Sequence, residues 1–118
     1  MTTDKTAILK IVRGTLTPVQ IDRSCIYWYR KTLFAGDKTV AAPGLGGMPF
    51  DGMVVFVDLA PLANWAHPCL YLLVESKTFD VKVVEASLPP GIDQADENFV
   101  ALLQFGKSPP RGRAAGTR

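Results

Sequence analysis

The chain has 118 residues, 47% of them hydrophobic and 20% charged, enough for one globular domain and too few for two. At this size folding removes roughly two-thirds of the unfolded chain's surface from water, so a core forms without metal or disulfide staples; the composition excludes a disordered, collagen-like or disulfide-framework protein. Four of the thirteen Lys and Arg (Lys107, Arg111, Arg113 and Arg118) lie in residues 107–118, where no acid stands; the other nine face all eleven Asp and Glu, so residues 1–106 carry a net −2 in a chain of formal charge +2, which excludes a basic nucleic-acid-binding body.

In chain order, Met1-Thr2-Thr3-Asp4-Lys5 contains an acid and leads into a short apolar stretch broken by Lys10 and Arg13. That does not match a secretory signal, and a cytoplasmic protein is expected. Residues 1–5 are expected to fray. In Thr6 to Arg13, Ile8, Ile11 and Val12 suit a short helix, while the length also suits a strand ended by Gly14. From Thr17 to Gly36 the signals conflict. Thr17-Pro18-Val19-Gln20 is a capping box with proline at the first helical position, Arg30, Lys31 and Gly36 fit a helix end, and Ile21, Cys25, Trp28 and Leu33 fall near one helical face. Against this, Ser24 to Tyr29 is rich in residues that suit strands. The capping and stop signals tilt the expectation towards a helix.

Gly36 to Gly52 reads as a loop, since Pro43-Gly44-Leu45-Gly46-Gly47-Met48-Pro49 sustains neither helix nor strand. Met53 to Leu59 is an unbroken apolar run ended by a charge, as expected of a strand covered on both faces, and Cys69 to Glu75 repeats the pattern. The long apolar segment Met53 to Val74 is interrupted by Asp58, Pro61, Asn64, His67 and Pro68, so two buried strands around a turn are expected and no membrane span. Phe79 to Ala86 alternates, with Phe79, Val81 and Val83 on one face and Asp80 and Lys82 on the other. It reads as a half-solvated strand paired in an antiparallel hairpin with 69–75. After Leu88-Pro89-Pro90-Gly91, Asp93 or Asp96 is expected to cap a helix on which Phe99, Leu102 and Leu103 share a face and Gly106 is the stop; a final strand is the competing reading. Residues 107–118 are expected to form a flexible basic tail after a single domain spanning 1–106.

The densest chemistry lies between Asp58 and Cys69, which holds the only histidine, one of two tryptophans, an amide, a carboxylate and a thiol. Loops held by a rigid sheet are where sites are built. Asp58, Asn64, Trp65, His67 and Cys69 are therefore the candidate ligand-binding residues, with Trp65 as an apolar platform. The simpler account makes Trp65 a core plug, with Asn64 and Asp58 bonding turn backbone. A Cys/His-type hydrolase would take Cys69 or Cys25 as nucleophile, His67 as base and Asp58 as the orienting group. Zinc ligation by Cys25, His67, Cys69 and Asp58 lacks paired spacing, and two cysteines 44 positions apart read as buried thiols. In the glycine loop, Pro49 stands where a dinucleotide fingerprint wants a third glycine. No metal or cofactor is expected.

Tyr27, Trp28 and Tyr29, beside Arg23, Arg30 and Lys31, form a basic aromatic patch that reads as a subunit contact rather than a stacking platform. Met48 and Phe50 are the apolar contacts expected of a partner-covered loop. The expected architecture is a small α+β domain, with an antiparallel sheet over about 53–86 packed against helical or mixed terminal segments; an all-β sandwich or barrel is the alternative. The expected function is a non-catalytic binding or protein-interaction domain, homo-oligomeric through self-association. The alternative is a small-molecule-binding protein or enzyme using the Asp58 to Cys69 loop. Neither specific nucleic-acid binding nor membrane association is expected.

Overall fold

The computed structural model describes residues 4–38, 46–63, 67–87 and 97–109. Two short helices, α1 (Lys5–Thr15) and α2 (Pro18–Arg23), precede five strands: β1 (Cys25–Leu33), β2 (Gly52–Asp58), β3 (Cys69–Glu75), β4 (Val81–Ala86) and β5 (Phe99–Gln104). Helix α1 starts earlier than the fraying expectation allows, because the Asp4 side chain caps it, accepting from the Ala7 amide at 2.9 Å; such a cap is worth about 1 kcal/mol. The capping box at the start of α2 is complete: the Gln20 amide donates to Thr17 Oγ1 at 3.2 Å, and the Thr17 amide donates to Gln20 Oε1 at 2.9 Å.

The strands form one antiparallel sheet in the order β4-β3-β2-β1-β5. It is an open sheet flanked by two helices, so the fold is mostly sheet with α and β parts; the barrel alternative fails because the edge strands β4 and β5 lie at opposite ends of the order. One face carries Ile26, Trp28, Met53, Val55, Val57, Leu70 and Leu72. Ile8, Val12 and Leu16 of the α1 segment and Ile21 of α2 pack onto it. The opposite face carries Tyr29, Val54, Phe56, Cys69, Tyr71, Leu73 and Phe99, with Met48 and Phe50 of the loop before β2 packed against them. Each fully buried Val, Leu, Ile or Phe contributes about 1.5–3 kcal/mol of transfer free energy. Among the described residues the indole Nε1 of buried Trp28 has no hydrogen-bond partner, and a donor buried without one costs about 1–3 kcal/mol.

The three central expectations hold. β2 and β3 are buried at six of seven positions each, and β3 and β4 form the expected hairpin. Its link is two residues longer than the sequence indicated, because Phe79 adopts a left-handed φ of 62° and closes the turn by donating to the Glu75 carbonyl at 2.9 Å.

Two expectations are corrected. The helix begun at Pro18 ends at Arg23, and Cys25–Leu33 is a strand: the run Ile26-Tyr27-Trp28-Tyr29 gains more from a pleated surface covered on both sides than from a helical stripe. Phe99–Gln104 is likewise a strand, so the sheet spans 25–104 rather than 53–86. The helical look of that segment comes from a β-bulge. Ile26 pairs with Leu103 and Tyr27 with Ala101, which leaves Leu102 as the extra residue and puts adjacent Leu102 and Leu103 in the same core cluster. Gly106 still ends the element, as a turn at φ +82°.

Gly52 has no tolerance for a side chain: a Cβ there would lie 2.0 Å from the Val74 carbonyl oxygen. Gly52→Ala is expected to lower stability by about 2 kcal/mol or more, on the scale of core overpacking, read as a fall in the urea midpoint. An unchanged midpoint would contradict the close β2–β3 approach.

Candidate functional site

The strand registers align five residues in one row across the sheet: Gln104, Cys25, Asp58, Cys69 and Ala86. The row lies at one end of the face opposite the helices. The next row inward on that face holds Ala101, Tyr27, Phe56, Tyr71 and Val84. Tyr27 stacks on Phe99 with ring centroids 5.3 Å apart and on Phe56 at 6.3 Å, and Phe56 meets Tyr71 at 5.3 Å. Asp58 therefore places a carboxylate between two thiols beside an aromatic cluster.

His67 answers that carboxylate. Its Nε2 lies 2.7 Å from Asp58 Oδ1, with both side chains more than four-fifths buried. The same oxygen accepts from the Ala60 amide at 3.1 Å. The backbone of His67 donates to the Ser87 carbonyl at 3.1 Å, and the Leu59 amide donates to the Pro68 carbonyl at 3.3 Å. Arg23 adds a bond from Nε to the Leu59 carbonyl at 3.2 Å. The ends of the β2–β3 connection are thus tied to α2, to the end of β4 and to each other. Asn64 and Trp65, the other two candidate binding residues, lie outside the described residues.

Of the five candidate ligand-binding residues, the structure brings Asp58, His67 and Cys69 together. Cys25 joins them on the other side of Asp58. The chemistry available to Cys25 is that of a buried thiol. Burial first, and then the Asp58 charge, push it above its ordinary value, against a smaller opposing effect of its hydrogen bond with the Tyr27 side chain. A nucleophilic cysteine needs the reverse shift. His67 turns Nε2 to Asp58, an interaction that anchors the loop. Among the described residues no group of three or more His, Cys, Asp or Glu is arranged to hold a metal ion. Both cysteines are free and buried. With Asp58 between them they stand two strands apart, about 10 Å at ordinary strand spacing, beyond the roughly 7 Å Cα limit of a disulfide. The protein is expected to yield two alkylatable thiols after unfolding under non-reducing conditions, read by intact mass. A single-chain disulfide mass would contradict the register.

The aromatic candidates are divided by strand alternation. Trp28 faces the helices, whereas Tyr27 and Tyr29 face the opposite side, and Trp28, Tyr29 and Met48 are all buried within the chain's own core. Only Tyr27 and Phe50 of the expected contact residues remain half-buried. Among the described residues the exposed large apolar ones are Val19, Phe34, Leu62, Val83 and Phe105. Sequence reading passed over Phe105 because it sat inside an expected helix end. Val83, on the side of its strand that the alternation marks as apolar, is 47% exposed.

No protein-family model, no curated protein and no solved structure matches this chain. No helix among the described residues is long and apolar enough to cross a membrane.

Burial also pushes up the hydroxyls of Tyr27 and Tyr71, with the neighbouring cysteines Cys25 and Cys69 respectively adding to the shift. In the unfolded chain these three groups lose protons near their ordinary values of 9.0 and 10.0, whereas the folded chain retains them. Above pH 9 the unfolded state therefore binds fewer protons, and stability falls as pH rises, by up to about 1.4 kcal/mol per pH unit for each group. Urea midpoints measured from pH 8 to 11 are expected to decline from about pH 9, less steeply in Cys25→Ala. A flat profile would contradict the burial of these groups.

Proposed function

We propose that the chain is a non-catalytic interaction domain that self-associates by adding the β5 edge of one copy to that of another. The supporting observation is the contrast between its two sheet edges. β4 reads Val-Lys-Val-Val-Glu-Ala, with Lys82 and Glu85 exposed, and charged residues on an edge discourage pairing with other chains. β5 reads Phe-Val-Ala-Leu-Leu-Gln, without a charge, and among the described residues pairs with β1 alone.

The side chains of β5 suit such a contact. Val100 and Ala101 are half-buried on opposite faces, and Phe105, just beyond the strand, is 47% exposed. A twofold axis normal to the sheet would pair β5 with itself in antiparallel fashion and join two five-stranded sheets into one. Backbone hydrogen bonds supply the affinity, and Val100 and Phe105 add apolar area at the seam.

Sedimentation velocity at micromolar to tens of micromolar protein is the test. The unmodified chain is expected to dimerise, and Val100→Lys to weaken the dimer at least ten-fold. Phe105→Asn does the same without disturbing the turn, because asparagine tolerates the left-handed φ of 53° found there. Val83→Lys on β4 leaves the dimer intact. A monomeric unmodified chain over the whole range, or a dimer broken by Val83→Lys alone, would overturn the proposal.

A further inference from the structure

A second feature lies on the helix side of the molecule, at the same end of the sheet as the Asp58 row but on the opposite face. Arg13, Leu16, Pro18, Ile21, Asp22 and Gly106 line a cavity of about 210 Å³ where the last turn of α1, the α1–α2 turn, α2 and the turn after β5 converge. Leu16 and Ile21 are core residues of the helix-covered face, so the floor is apolar and fixed in place. The polar groups lining it are Arg13 and Asp22. Among the described residues neither side chain has a hydrogen-bond or ion-pair partner.

The glycine at the rim explains how Asp22 is held. A Cβ on Gly106 would lie 2.6 Å from Asp22 Oδ1, and its φ of +82° already favours glycine. Gly106 therefore lets the carboxylate approach the turn closely without supplying it with a donor. The cavity lining combines an acceptor-only anion, a donor-only cation and apolar side chains. The volume lies below the roughly 300–1,000 Å³ of sites for drug-sized ligands and suits a small metabolite.

We infer that this cavity binds a small apolar α-amino acid, with its ammonium on Asp22, its carboxylate on Arg13 and its side chain on Leu16, Pro18 and Ile21. Charge-assisted hydrogen bonds of both signs are what distinguish a zwitterion from an amine or an acid alone. A peptide terminus presents only one of the two charges and is the weaker ligand. The assignment is independent of the β5 contact, since Leu16, Ile21 and Asp22 lie in the helical segments and report it whether or not the chain dimerises; Gly106, beside Phe105, is read together with them.

The test is a titration of the ¹⁵N-labelled full chain with L-leucine, N-acetyl-L-leucine and L-leucinamide, followed by amide chemical shifts. Saturable shifts are expected at Leu16, Ile21, Asp22 and Gly106 with leucine, and binding at least ten-fold weaker with either analogue. Arg13→Gln and Asp22→Asn, both at exposed positions, are each expected to weaken leucine about ten-fold while leaving the rest of the spectrum in place. Absence of saturable shifts with leucine, equal responses to all three compounds, or shifts confined to other residues would overturn the assignment.

Discussion

The pairing of Gly52–Asp58 with Cys69–Glu75 runs through seven residue pairs without a register shift, and six residues on each strand are buried. A pair of strands so apolar on both sides has to be covered twice. The helices cover one side with Ile8, Val12, Leu16 and Ile21; on the other, aromatic rings from β1, β2, β3 and β5 pack edge and face with Met48 and Phe50 beside them. Because a one-residue slip would exchange the two faces, this register also fixes which side every neighbouring strand must present. β1 consequently turns Trp28 to the helices and Tyr27 and Tyr29 to the aromatic side.

The same constraint explains the polar row at the sheet end. Asp58 occupies a position whose alternation points it into the aromatic face, between Cys25 and Cys69. A carboxylate there needs partners, and His67 and the Ala60 amide provide them. The contact between Asp58 and His67 joins the end of β2 to the segment that leads into β3. Each such hydrogen bond is worth about 1 kcal/mol net, and losing one partner would leave the other buried and unpaired at greater cost.

The core strands were legible because burial on both faces writes itself as unbroken apolar runs, as in Met-Val-Val-Phe-Val and Leu-Tyr-Leu-Leu-Val. The alternation of Val81, Lys82 and Val83 marked a strand but not its burial, since Lys82 and Val83 are both exposed. What misled were signals correct in themselves but shorter in reach than they looked. The Thr17 capping box starts a real helix of six residues, and nothing local announces that it stops at Arg23. Leu102 and Leu103 mimic a helical face because a bulge opposite Ile26 and Tyr27 repeats a side. Of the candidate site, the proximity of Asp58, His67 and Cys69 was readable from their spacing around a turn. The approach of Cys25 and the cavity between Arg13, Asp22 and Gly106 depend on which strands neighbour one another, and a single sequence carries no signal for that.

The proposed pairing of the uncharged β5 edge with its own copy makes one demand on behaviour in solution: that edge should respond to concentration. Amide hydrogen–deuterium exchange of the full chain at low and high protein concentration measures this strand by strand. The account predicts that exchange along Phe99–Gln104 slows as concentration rises, while β2, β3 and β4 keep the same protection. Protection in β5 that does not depend on concentration, or a concentration effect confined to Val81–Ala86, would contradict it.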